Sequence, residues 1–126
     1  MKFRYRDVAY SEVIRAHDQT EAMQKLKPGR LVLIIPNKRP KSLKFVCPCG
    51  CGEIISVNLM PESGKAWRVS YDPKLGLSLY PSVWLTSGCC SHFILHNNKA
   101  RLLLGKMPKM SAIELEDWWS RSDHDD

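Results

Sequence analysis

The chain has 126 residues, 44% hydrophobic and 25% charged, which is the size and make-up of one globular domain with a real core and no room for two. Its longest apolar run, Leu31 to Ile35, is far too short for a membrane span. Charges alternate with aromatics at the N-terminus, so no secretory signal is read there and the expected location is cytoplasmic. The net charge of +6 is unevenly placed: residues 1–46 carry eleven Lys/Arg against four Asp/Glu, and Arg4, Arg6, Lys38, Arg39, Lys41 and Lys44 are the cations to weigh. No aromatic platform lies beside them, so they read as a solvated surface and nucleic acid is not the expected partner.

In chain order, Phe3 to Arg6 alternates as an edge strand does. Asp18 or Thr20 caps a helix to about Lys27, with Ala22, Met23 and Leu26 on its buried side, and Pro28-Gly29 stops it. Arg30 to Ile35 is a buried strand, and Leu43 to Val46 leads into the first cysteines. Period-two alternation then marks Ile55 to Leu59, Ala66 to Tyr71 and Leu75 to Leu79, followed by Val83 to Leu85. His92 to Leu95 and Ala100 to Leu104 make a hairpin through Asn97-Asn98, because asparagine tolerates the left-handed region. Ser111 to Glu114 has capping-box spacing ahead of the stripe Leu115, Trp118 and Trp119.

The expected fold is mostly β: a small antiparallel sandwich or barrel of seven or eight strands with a metal-binding loop pair, a short N-terminal helix and a C-terminal helix. It forms one domain over 1–126, with the metal-binding β core at 30–104, a helical extension at 110–121 and a disordered tail at 122–126.

All five cysteines lie in two short stretches, Cys47-Pro-Cys49-Gly-Cys51-Gly and Cys89-Cys90-Ser91-His92. Thiolate and imidazole are ligands for zinc and iron–sulfur centres, and glycine permits the turns that aim several sulfurs at one point. The two stretches therefore read as halves of one site, with Cys47, Cys49, Cys89 and His92 the preferred zinc ligands and Cys51 able to replace Cys49. Cys90 reads as a buried bystander, because neighbouring residues of an extended chain point apart. The alternative occupant is a [2Fe–2S] cluster. The spacing is similar to a Rieske centre with cysteine in place of the first histidine, and that departure favours zinc in a Rieske-like scaffold.

A catalytic reading stands beside the metal reading. One thiol free of metal, Cys51 above all, can be the nucleophile with His92 as its base; Ser82 or Ser91 can serve instead, and Asn97 or Asn98 can orient the histidine. A zinc ion with an open position, with Glu53 as general base, is a further route. Trp67 and Trp84 read as core or as lining near the metal, and His96 as a solvent-facing or capping residue.

The order Cys-Pro-Cys-Gly-Cys-Gly at 47–52, Trp67, Pro81-Ser82-Val83 and Gly88-Cys89-x-Ser-His92-Phe93 resembles a bacterial family of short proteins encoded beside ubiquitin-like conjugation genes. The resemblance covers roughly residues 30 to 104. It implies a metal-binding, cytoplasmic component of an antiviral conjugation pathway, with a ubiquitin-like protein and its activating and conjugating enzymes as partners. By the same resemblance, the role implied is a hydrolase: a peptidase that processes or deconjugates the ubiquitin-like protein. A zinc-stabilised adaptor without catalysis and a Rieske-type electron carrier are the competing roles.

Overall fold

The computed structural model describes residues 4–85, 88–89 and 91–104, so the expected C-terminal helix, the tail and Cys90 lie outside the described residues. Ten strands and one α-helix are described: β1 (Arg4–Ala9), β2 (Glu12–Ala16), α1 (Gln19–Lys25), β3 (Arg30–Ile34), β4 (Ser42–Val46), β5 (Ile54–Asn58), β6 (Arg68–Asp72), β7 (Gly76–Tyr80), β8 (Val83–Trp84), β9 (His92–His96) and β10 (Lys99–Leu104). They form one sheet in the order β1-β10-β9-β8, a second in the order β2-β3-β4-β5, and a β6–β7 hairpin. No helix among the described residues is long and apolar enough to cross a membrane.

The mostly β expectation holds, but not its purely antiparallel form. β2 and β3 pair in parallel, because α1 between them carries the chain back to the end where β2 began. Asp18 is the cap: its Oδ1 accepts the Glu21 N–H at 2.9 Å. Ala22 packs on Val32 and Ile34 with Leu26 at the rim, whereas Met23, expected inside, is exposed. A helix this short covers only two strands with one narrow stripe, so its flank stays wet.

Two facing sheets share one core. Leu43, Phe45, Ile55 and Val57 of the second sheet meet Phe93, Leu95, Ala100 and Leu102 of the first, with Leu77 and Leu79 closing the side. Phe45 lies at the centre, edge-on to Tyr10 at 5.8 Å and to Phe93 at 5.9 Å. Truncating such a ring to alanine costs roughly 3–5 kcal/mol. Alternation does most of the sorting: β4, β5 and β10 each send every second residue into this core. It overreaches at Tyr71 and Leu75, which are exposed because the first lies on an outer hairpin strand and the second in its turn.

Two features of this frame place the site. The β9–β10 turn is the expected Asn97-Asn98 pair, with φ of +48° and +65°, as a two-residue turn of this hand requires. It pins β9 at the end away from His92. The opposite end of β9 and the β4–β5 turn lie together, and both cysteine stretches occur there.

Candidate active site and metal centre

The first cysteine stretch is a tight turn at the tip of the β4–β5 hairpin. Cys47 N–H donates to Glu53 O at 2.8 Å, continuing the ladder, and Gly50 N–H folds back to Cys47 O at 3.3 Å. Gly50 and Gly52 have φ of +91° and +84°, a conformation that would strain any other residue. Backbone amides then face sulfur: Cys51 N–H points at Cys49 Sγ (3.4 Å) and Glu53 N–H at Cys51 Sγ (3.5 Å). Arg6 of β1 donates to Cys49 O at 3.3 Å and ties the turn to the other sheet.

Cys89 arrives from the β8–β9 connection. Gly88 lies so close to the first turn that a Cβ on it would sit 2.8 Å from Glu53 Oε2. Cys89 Sγ stands 3.7 Å from Cys47 Sγ, which is itself 3.4 Å from Cys49 Sγ. One ligand atom from each of Cys47, Cys49, Cys51 and Cys89 lies within 4.8 Å of the others, so four cysteines are positioned to hold a metal ion. These separations are far beyond the roughly 2.05 Å of a disulfide. They approach the about 3.8 Å edge of a tetrahedron with metal–sulfur bonds of about 2.3 Å.

The thiols differ in acidity. Burial pushes the Cys47 thiol up to about 12. Burial also opposes ionisation at Cys49, but hydrogen bonds from Ser91, Cys51 and Cys47 outweigh it and bring that thiol down to about 6. The group therefore sets one readily formed thiolate beside Cys47 and Cys51, whose thiols are pushed up, and a bound cation would displace their protons.

His92 does not join this group. Its Nε2 lies 2.8 Å from Ser82 Oγ, a hydrogen bond of full strength, in the turn between β7 and β8. Ser82 is half-buried, and its carbonyl accepts the Trp67 indole N–H at 3.2 Å, which holds the serine backbone against the β6 side. His92 is 6% exposed, and this burial lowers its pKa below the usual 6.5, favouring the neutral imidazole. With its proton on Nδ1, a neutral ring offers Nε2 as acceptor to the serine hydroxyl. Trp84 lies flat on the imidazole, centroids 5.3 Å apart and planes 5° from parallel.

The sequence expectations thus divide. Cys47, Cys49, Cys51 and Cys89 come together, and His92 pairs with Ser82. Cys51, weighed above as a free nucleophile, is one of the four clustered thiols. Ser91 belongs with the sulfurs, 3.1 Å from Cys89 Sγ and 3.8 Å from Cys47 Sγ. Asn97 and Asn98 do not orient His92; they sit at the far end of β9, where they accept from Ser78 Oγ and Leu77 N–H. His96 faces Ser78 Oγ at 3.4 Å there. A Rieske centre needs two imidazoles on one iron, whereas this group consists of thiols alone. Of the basic residues, Lys44 is buried against Ser56 and Arg39 is paired with Glu62. Trp84, expected in the core or lining the metal, is instead 58% exposed and stacks on His92, a position that a strand of two residues is too short to reveal by periodicity.

The molecule is a mostly β protein that sets a serine–histidine pair beside a four-cysteine group able to hold a metal ion. Residues 17–103, well over half of the chain, match the sequence profile of the family described as bacterial ubiquitination-like system serine protease (BubE), and the chain belongs to that family. Comparison with curated proteins and with solved structures returned no match.

Proposed function

We propose that the protein is a serine peptidase that processes or deconjugates the ubiquitin-like protein of a bacterial conjugation pathway, with Ser82 as nucleophile and His92 as general base. The observation that carries this reading is the 2.8 Å separation of Ser82 Oγ and His92 Nε2, in a chain whose family description names a serine protease. A serine hydroxyl is a weak nucleophile until a neighbouring base takes its proton, and a buried neutral imidazole at this distance is such a base.

The chemistry follows in two steps. Ser82 Oγ attacks the carbonyl carbon that joins the ubiquitin-like tail to its leaving group, while its proton passes to His92 Nε2. The bond to the leaving group breaks, and that group takes the proton from His92. Water then gives a proton to the same nitrogen and attacks the acyl-serine; the acyl–Oγ bond breaks, Ser82 Oγ takes the proton back from His92, and the product leaves as a carboxylic acid that ionises in solution. The pathway's ubiquitin-like protein and its activating and conjugating enzymes are the partners this role requires, and antiviral defence is the setting the resemblance implies.

Zinc is the ion this donor set suits, because four thiolates at tetrahedral spacing form a closed structural site. Such an ion would hold the Cys47–Cys51 turn to Cys89, three residues before His92, and so fix the loop that presents the base. Ser82 and His92 do the chemistry in this reading, and the four cysteines position them.

The decisive experiment is labelling with a fluorophosphonate, which reacts with activated serines and needs no natural substrate. Wild-type protein becomes labelled, and Ser82→Ala and His92→Ala do not. Absence of labelling in folded, metal-loaded wild-type protein, together with no cleavage of a tail-extended ubiquitin-like partner, would move the protein to the class of non-catalytic adaptors.

A further inference from the structure

We infer that Trp84 grips the substrate: its main-chain N–H and C=O pair with an extended peptide laid antiparallel along the free edge of β8, and its exposed indole face supports that peptide. This rests on the reading of Ser82 and His92 as the catalytic pair and says how the peptide reaches them.

Hydrogen-bond parity decides which main-chain groups β8 leaves open. In an antiparallel pair, opposed residues alternate between those that exchange main-chain bonds and those that do not. Leu85 N–H donates to Ser91 O at 2.9 Å, and the register sets Val83 against Phe93 and Trp84 against His92. Val83 and Leu85 therefore point their backbone polar groups at β9, and Trp84 points its own away. Among the described residues, β8 is the last strand of its sheet, so those two groups face the open edge. The same parity brings the Trp84 and His92 side chains close, because non-bonded pairs have the shorter Cα separation. The parallel stacking of indole on imidazole is its consequence.

Position gives the edge its meaning. Ser82 lies two residues before Trp84, about 7 Å along an extended chain. A tryptophan 58% exposed, with one face on the catalytic imidazole and the other uncovered, is a ready surface for peptide. β8 runs from Ser82 toward Trp84, so a peptide lying antiparallel runs from Trp84 toward Ser82. Its residue bonded to Trp84 then precedes, by two positions, the residue whose carbonyl Ser82 attacks. The occupant is an extended polypeptide recognised through its backbone, as in strand addition to a sheet edge. A chain tail fits this chemistry, and a folded surface does not.

The test uses the full-length protein and synthetic peptide anilides that end in the C-terminal residues of the ubiquitin-like protein, each N-methylated at one successive amide. Methylation two residues before the cleaved carbonyl residue is expected to raise KM about five- to tenfold, the worth of one lost hydrogen bond, with kcat nearly unchanged. Trp84→Ala raises KM for the unmethylated peptide, and Trp84→Phe recovers most of the loss. A Trp84 that serves only to pack on His92 would change kcat and leave no methylation pattern. A flat scan, or a peak on the leaving-group side, overturns the inference even where fluorophosphonate still labels Ser82. Loss of that labelling in wild type instead overturns the catalytic reading beneath it.

Discussion

The cysteine turn and the serine–histidine pair lie at one end of the same sheets, yet they are built on opposite plans. The turn is local: three of its four sulfurs come from five consecutive residues, oriented by glycines and backbone amides. The pair depends on strand pairing: Ser82 lies in the turn between β7 and β8, His92 begins β9, and they meet because β8 pairs with β9. The three sulfurs of the turn take their geometry from chain stiffness, which a bound ion would reinforce. The serine–histidine pair inherits its geometry from the pairing of its strands. Damage at the first should thus appear as lost stability, and damage at the second as lost chemistry with the fold intact.

The largest effect is expected at the pair. Ser82→Ala should lower kcat by roughly three orders of magnitude or more, while the circular dichroism spectrum and the metal content stay as in wild type. Adding His92→Ala to it should lower the rate little further, because the two act as a unit. A near-wild-type rate in Ser82→Ala would break the comparison outright.

Next in size is the turn. Cys47→Ser should lose the metal and several kcal/mol of stability, read as a fall in melting temperature and confirmed by elemental analysis. Cys51→Ser sharpens the same contrast. As one of four clustered thiols it should weaken metal binding in the manner of Cys47→Ser; full metal retention with abolished turnover would restore Cys51 as the nucleophile.

A smaller effect concerns pH. Burial lowers the His92 pKa, so the neutral base persists to more acid pH and the acid limb of kcat/KM should fall below the ordinary histidine value of 6.5. The linked stability has the opposite sense. The unfolded state takes up the proton first as pH drops below 6.5, so this histidine destabilises the fold there. The smallest effect is expected at Trp67→Phe, which deletes the indole N–H bonded to Ser82 O. A single hydrogen bond is worth about 1 kcal/mol, so the rate should fall roughly fivefold with little change in melting temperature.

These two regions also differ in how far they can be read before folding. Alternating apolar residues in β4, β5 and β10 place the core, and Asn97-Asn98 places a hairpin turn, because a strand's period and a turn's φ are short-range properties. The parallel β2–β3 pairing is less legible, since it depends on where α1 returns the chain. The three thiols of the turn are legible for the same short-range reason, whereas Cys89, 42 residues from Cys47, is joined to them by the ligand chemistry of the two stretches and reaches them through the fold. His92 is where spacing leaves two roles open. A histidine three residues after a cysteine fits a metal pair on sequence alone, and whether it turns to the sulfurs or to Ser82 depends on the strand it begins.

By itself, then, the sequence determined a mostly β domain with a thiol-rich turn, because those features are encoded in neighbouring residues whose preferences act within a few bonds. Tertiary structure alone decided that His92 lies 2.8 Å from Ser82, that Trp84 stacks on it, and that β8 is, among the described residues, the last strand of its sheet. Each depends on strand order and pairing parity, which arise only when the strands are assembled into their sheets.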